Sequence, residues 1–342
     1  MDLALQLQTA YHDLLQHHLA RPQLTIDGAI VTREKGGRTY WVARKRAGDK
    51  VVEQAIGPDT DAVRAQVQEA RRLQDIHQSW SRVTAATVAM LRAAKCLAPD
   101  VQSGRVLAAL SDAGFFRAGG VLAGTQAFRH YPLMLGVPPP QAATLQTGDI
   151  DLLAPSGLRL LAPDKSLSRR LIDRGIAMEP VFGMASETPP KWRVEGVLDL
   201  EFLSPVARGG AASHDHPGIG EKVQALKFLE FLLQGPVDAV SLYRSGVLIR
   251  LPAPERYALH KLIVANLRTG TFREKRGKDL DQAAWLIAQL ASSHSFELWS
   301  AWADLRGRGA AWRQHADASL LQRPMAKEAL LDLEQTYGQP DP

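Results

Sequence analysis

The sequence predicts an α+β fold: a small mixed sheet with helices over residues 101–205, a mainly helical C-terminal region over 206–342, and an N-terminal helix–hairpin–helix appendage over 1–100. Three observations predict it. Residues 149–153 and 194–203 alternate apolar and polar with a period of two. Residues 101–113 and 254–291 carry apolar side chains at helical spacing. Between residues 24 and 57 the period switches to short β-type runs.

The elements follow in order. Leu3, Leu5, Leu7, Tyr11, Leu14 and Leu15 recur near helical spacing, which predicts a first helix within residues 1–20. Thr39–Ala43 and Lys50–Gln54 read as the arms of a hairpin joined by Arg44–Asp49. Gly57-Pro58-Asp59-Thr60 breaks the chain, and Asp59 or Thr60 caps a long Ala/Arg/Gln-rich helix to residue 96. A helix over 101–113, a strand over 115–123 and a helix over 126–135 come next, the last stopped by Pro138-Pro139-Pro140. Residues 149–153 form a strand, 167–174 a helix and 194–203 a strand. Residues 207–220 are rich in Gly, Ala and Ser and read as a loop, and 221–233 as a helix. A hairpin pairs 240–243 with 247–251 around Ser245-Gly246, and helices run over 254–268, 278–291 and onward.

Composition narrows the function classes. The chain has 342 residues, 45% hydrophobic and 23% charged, the balance of a globular protein with ample core material. Lys plus Arg exceed Asp plus Glu by 41 − 36 = 5, a mild basicity that permits a nucleic-acid or nucleotide partner without requiring one. Cys96 is the single cysteine, which excludes an internal disulfide framework and a Cys-cluster zinc site. No apolar run reaches the length of a membrane span and the start lacks the layout of a signal peptide, so a cytoplasmic location and no membrane partner are expected.

Asp149-Ile150-Asp151 is the sharpest local feature. Alternate strand residues point to one face about 7 Å apart, so Asp149 and Asp151 project together while Ile150 and Leu152 point inward. Like charges on one face repel, and a divalent cation would relieve the repulsion. Taken alone, the two acids are better explained by a solvent-exposed edge. Further on, Asp199 and Glu201 share a strand face opposite Leu198, Leu200 and Phe202, and a third acid is what a two-metal site requires. Gly124-Thr125 sits at a strand-to-helix turn, where small residues let backbone N–H groups approach a phosphate. In the helix over 254–268, Tyr257, Lys261, Val264 and Arg268 form one stripe, and Lys261 and Arg268 could reach a triphosphate or RNA. Arg273, Lys275 and Arg276 are expected to be solvated surface, and Asp279 and Asp281 to suit a helix N-terminus.

Gly124-Thr125, Asp149-Ile150-Asp151 and Glu201 within Leu200-Glu201-Phe202-Leu203-Ser204-Pro205 together resemble the three-part signature of the DNA polymerase β-like nucleotidyltransferase superfamily. The layout is similar to bacterial nucleotidyltransferases of the AbiEii toxin type over about residues 101–300. The resemblance implies a nucleotidyltransferase-like core that moves a nucleoside monophosphate from an NTP to a hydroxyl of RNA (a tRNA end) or of a protein, with Mg²⁺ or Mn²⁺ and a toxin or defence role. It implies that Gly124 and Thr125 hold phosphates, that Asp149, Asp151 and Glu201 bind metal (Asp199 being the alternative third acid), and that Lys261 and Arg268 contact the NTP. Lys278 and Asp281 take supporting roles. The chain departs from the pattern in the 23 residues, Gln126 to Gly148, between turn and acids. The same resemblance admits a silent module that binds nucleotide or nucleic acid without catalysis.

Two further features stand apart. His214-Asp215-His216 carries two histidines too close for independent ligation from a rigid strand, and no metal is assigned to it. The predicted hairpin mixes Tyr40 and Trp41 with Arg44, Lys45 and Arg46, a combination suited to nucleic acid. Alternation puts the two rings on opposite faces, so one packs against the protein.

Overall fold

The computed structural model describes residues 3–47, 50–161, 165–182, 191–207 and 210–339. The N-terminal arm is α1 (Leu5–Leu19), a three-stranded antiparallel meander β1 (Ala29–Lys35), β2 (Arg38–Ala47) and β3 (Lys50–Pro58), and the long helix α2 (Asp61–Ala93). The meander has one strand more than the expected hairpin: β1 pairs along β2 from Ala29↔Arg44 to Lys35↔Arg38. Gly48 and Asp49 of the expected connection lie outside the described residues. Thr60 caps α2 by accepting from the Val63 amide, as its position before the helix predicts. Trp41 is the ring that packs inward, against Ile30, Val67 and Ala70, with its indole N–H donating to Asp59 at 2.8 Å.

The core begins with α3 (Val101–Asp112), capped by Asp100 on the Ser103 amide. A short β4 (Val121–Leu122), the one-turn helices α4 (Gly124–Phe128) and α5 (Tyr131–Met134), and β5 (Asp149–Leu153) follow. Then come α6 (Leu167–Asp173), β6 (Met178–Val181), β7 (Lys191–Val194), β8 (Leu198–Pro205), β9 (Ser213–His216), β10 (Glu221–Leu226) and α7 (Leu229–Leu232). A hairpin of β11 (Val237–Ser241) and β12 (Val247–Leu251) leads into helices α8 (Pro254–Leu267), α9 (Lys275–Ser293), α10 (Ser295–Gly307), α11 (Ala310–Leu320) and α12 (Pro324–Tyr337). The architecture is mixed α+β. Among the described residues no helix is long and apolar enough to cross a membrane.

The central sheet runs β4-β5-β8-β10-β9, with β7 on the early part of β8 and β6 on β7. Strands β5 and β8 are parallel, as are β8 and β10, and β4 is antiparallel to β5. One sheet face buries Ile150, Leu152, Leu200 and Phe202 in the main core, together with Leu107 and Leu110 of α3 and Leu167 and Leu171 of α6. That burial, about 1.5–3 kcal/mol for each large side chain, holds the register that presents the acids on the other face.

Several expected elements change. The helix expected over 221–233 is instead β10 over Glu221–Leu226 followed by the single turn α7. Burial alternates along β10, and its pairing with β8 (Gln224↔Leu203) outweighs a local preference that is weak either way. The sheet therefore continues past residue 205. The loop expected over 207–220 contains β9, where His216 Nε2 lies 2.9 Å from the Pro155 carbonyl oxygen, so His214-Asp215-His216 is sheet edge; Arg208 and Gly209 lie outside the described residues. The strand expected over 115–123 shrinks to Val121–Leu122, and the helix over 126–135 splits into α4 and α5 around His130.

Candidate active site

The parallel register of β5 and β8 sets Asp149 opposite Asp199 and Asp151 opposite Glu201. Parallel partners point to the same side, so one sheet face carries a patch of acids at its start and Leu153, Leu203 and Leu226 farther along. Helices α8 and α9 close over this face. They leave a pocket of about 530 Å³ lined by Gly124, Thr125, Asp149, Asp151, Glu201 and Lys261, with further side chains from β7, β10, α7 and α9.

The glycine bend is fixed from two sides. The Ala123 amide donates to the Asp151 carbonyl oxygen at 2.8 Å, continuing the β4–β5 pairing into the turn. Tyr257, on α8, donates its hydroxyl to the Gly124 carbonyl oxygen at 2.8 Å. Gly124 has φ +60°, and a Cβ added there would run into the Asp151 carboxylate. Only glycine satisfies both demands without displacing the acid. Gly124→Ala is expected to lose about 1–2 kcal/mol from the left-handed backbone alone, with a further loss from moving Asp151. Chemical denaturation checks this, and an unchanged midpoint would contradict the close approach.

The long segment between Gly124 and Asp149 does not part the two motifs. After the prolines it makes a 3₁₀ turn over Ala142–Leu145, and Gln282 of α9 donates from Nε2 to the Thr144 carbonyl at 2.7 Å. Lys278 donates to the Gln146 carbonyl at 3.0 Å. The loop is tied back to the helix that roofs the pocket.

The acids differ in their surroundings. Burial, with the charges of Glu201 and Asp149 adding to it, raises the Asp151 carboxyl to about 6 from 3.8. Asp149 accepts from Lys275 at 2.6 Å, and Glu201 pairs with Lys191 at 2.5 Å. Asp199 is engaged by Arg193 across β7 and is absent from the pocket lining, so of the two candidate third acids Glu201 is the one that faces the pocket. The donor set is hard oxygen throughout, which fits a divalent cation. With Asp149 and Glu201 each turned to a lysine, no group of three metal-ligating side chains is gathered at one point among the described residues.

Lys261 and Arg268 line the pocket as the α8 stripe predicts, and both are held by one carboxylate. Asp279 accepts from Lys261 at 2.6 Å and from Arg268 at 2.9 Å, and it is 1% exposed. Burial pushes the Asp279 carboxyl up, and the two cations overcome that and leave it below its ordinary value. The triad has two positive charges and one negative, so the wall it forms is net positive.

Three expectations from the 273–281 segment change. Lys275, expected at the solvated surface, reaches Asp149, and Arg276 has a buried Nε with no hydrogen-bond partner. Asp279, expected to serve a helix start, is the buried center of the triad. Asp281, expected beside the site, is absent from the pocket and pairs with Arg323 at 2.7 Å. The helix period explains the exchange, because Asp279 and Asp281 lie two residues apart and point about 200° apart around α9. Lys191 and His260 also line the pocket and carried no sequence signal. Burial lowers the His260 imidazole to about 3, and its Nε2 has no hydrogen-bond partner. Of the hairpin cations, Arg44 pairs with Glu53 at 3.1 Å and Lys45 with Asp27.

Comparisons with known proteins bear on this arrangement. No curated protein matches the chain. The crystal structure of an antigenic nucleotidyltransferase-like protein from Paracoccidioides brasiliensis is similar over 69% of this chain and 94% of that one, with 16% identity and a TM-score of 0.40. A nucleotidyltransferase family profile matches residues 101–307, 207 of the 342 residues, and that span takes in every residue that lines the pocket. The bend, the acid-bearing strands and the two roofing helices thus fall inside one family match, and the chain belongs to the nucleotidyltransferase family.

Proposed function

We propose that the chain transfers a nucleoside monophosphate from an NTP to a hydroxyl of RNA, such as a tRNA end, or of a protein side chain. The acceptor oxygen forms a bond to the α-phosphorus, the bond from that phosphorus to the β-phosphate oxygen breaks, and pyrophosphate leaves. The acceptor proton passes to a pocket carboxylate, and Glu201 takes this role. The juxtaposition of Asp149, Asp151 and Glu201 with the Gly124 bend in one pocket is the observation that carries this reading.

Asp149, Asp151 and Glu201 would hold Mg²⁺ or Mn²⁺, which when bound neutralises phosphate charge and activates the attacking oxygen. The backbone N–H groups of the Gly124–Thr125 turn would receive the phosphate chain. Lys278, which has no carboxylate partner among the described residues, contacts phosphate from α9. The Asp279-bound pair Lys261 and Arg268 supplies a fixed positive wall for the triphosphate. Leu203, Leu226, Leu229 and Val264 form an apolar part of the pocket suited to a base and ribose.

Incubation with each α-labelled NTP, Mg²⁺ and either total RNA or protein lysate tests the reading. Label is expected in one macromolecular fraction with release of pyrophosphate. The double variant Asp149→Asn/Asp151→Asn is expected to abolish it; unchanged labelling by that variant would refute the mechanism. One observation favours a second reading, a silent nucleotide-binding module: lysines already neutralise Asp149 and Glu201. Mg²⁺-dependent NTP binding without pyrophosphate release is the result that would select it.

A further inference from the structure

A second cleft, of about 880 Å³, lies along the seam between the N-terminal arm and the core. Its arm side comes from the α1–β1 connection, β2 and α2. Its core side comes from α3, the turn after it, the end of α6 and the β11–β12 turn. Arginines converge on it from elements far apart in the chain: Arg21, Arg105, Arg117, Arg174 and Arg244.

The charge balance of this cleft is lopsided. Its carboxylates are Asp27, Asp112 and Asp173. Asp27 is engaged by Lys45, and Asp173 by Lys165 at 2.8 Å and Arg169 at 3.2 Å. Arg105 pairs with Glu195. Arg21, Arg117, Arg174 and Arg244 have no carboxylate within ion-pair distance among the described residues. Among the described residues Arg174 donates only to the carbonyls of Arg170 and Asp112, at 3.0 and 3.1 Å. Arg21 lies over the Trp80 ring at 5.1 Å and Arg244 over the Tyr243 ring at 5.2 Å. Arg117, Arg174 and Arg244 are exposed. Among the described residues Arg33, Arg64 and Arg72, elsewhere on the N-terminal arm, each pair with a carboxylate as Arg105 does, and Arg21, Arg117, Arg174 and Arg244 do not.

We propose that this cleft binds the phosphodiester backbone of a nucleic-acid strand. Guanidinium groups present several N–H donors in a plane that matches a phosphate, and several such groups along one groove suit a repeating anion better than a single one. Two of them already lie over aromatic rings, which restrains the side chains before any ligand binds. The proposal stands apart from nucleotide transfer, because none of these arginines lines the acid-bearing pocket and the binding needs neither metal nor triphosphate.

The test is fluorescence anisotropy of the full chain with a labelled 20-nucleotide RNA, without Mg²⁺ or NTP, across a series of salt concentrations. Parallel arms use duplex RNA, inorganic phosphate and poly-glutamate. Log affinity is expected to fall linearly with log salt, with a slope smaller by roughly 0.7 for each arginine removed. Arg117→Ala/Arg174→Ala/Arg244→Ala is expected to weaken binding at least tenfold; Arg174 also donates to the Asp112 carbonyl, so Arg117→Glu/Arg244→Glu, which leaves that bond in place, is the variant expected to melt with the wild type. Stronger binding of single-stranded or of duplex RNA identifies the form recognised, and either supports the cleft. Unchanged binding by the triple variant would overturn the proposal, as would displacement of the RNA by ATP or equal competition by poly-glutamate. Charge reversal, Arg117→Glu/Arg244→Glu, is the second variant, and it too must weaken binding.

Discussion

Asp151→Asn is expected to abolish the proposed nucleotide transfer and at the same time to raise the melting temperature of the metal-free protein at pH 8. Both effects come from one cause. The folded chain holds a proton on Asp151 more tightly than the unfolded chain does, because burial and the charges of Glu201 and Asp149 raise its carboxyl to about 6. The stability this group contributes is therefore complete below pH 3.8 and is lost as pH rises through 6. Above that, the ionised form destabilises the fold by up to about 3 kcal/mol, reduced where solvent reaches the pocket. Asparagine keeps the shape and removes the charge. Thermal melts of wild type and variant at pH 8 and pH 4 check the account: the variant's advantage is expected at pH 8 and should vanish at pH 4. A variant that melts below the wild type at pH 8 would mean that the repulsion is absent. Sites that do chemistry commonly store unfavourable charge of this kind.

Asp279→Ala is expected to have the largest effect on stability, a loss of about 3–5 kcal/mol, because it leaves Lys261 buried without its counter-charge. The side-chain exposures are 9% for Lys261 and 1% for Asp279, so water cannot replace the lost partner. The pH dependence runs opposite to that of Asp151. Asp279 is held below its ordinary value, so its stabilising contribution is present above pH 3.8 and is lost as pH falls through its lower folded value. Urea titrations of Asp279→Ala, and of Lys261→Met/Asp279→Leu, separate the pair's worth from the penalty of breaking it. The double variant is expected to recover most of the loss. A single variant within 1 kcal/mol of wild type would mean that the triad is not closed in solution.

The central strands and the glycine bend were legible because their signals are local. Alternation over 149–153 and 194–203 predicts two strands with one apolar face each; the first forms as expected, while the second is cut short, because Glu195 and Gly196 turn the chain with positive φ between β7 and β8 and only Leu198–Pro205 forms the acid-bearing strand. Strand β10 was not legible, since its residues suit a helix or a strand and only the edge offered by β8 decides. Lys275 shows the same limit. A lysine among Arg, Glu and Lys reads as solvated surface, and no local pattern tells that its side chain crosses to an aspartate 126 residues earlier. Lys191 and His260 likewise acquire their position from pairing and packing alone.

The sequence by itself determined the mixed α+β class, the strands that bear acids, the turn that needs glycine and the stripe of cations on α8, since each depends on residues within one or two turns of chain. The tertiary structure decided which acid faces the pocket, which lysines neutralise the others, and that Asp279 rather than Asp281 meets Lys261 and Arg268. Those outcomes depend on strand register and helix rotation, which are fixed by the burial of apolar faces far away in the chain, and charge partners follow wherever that burial puts them.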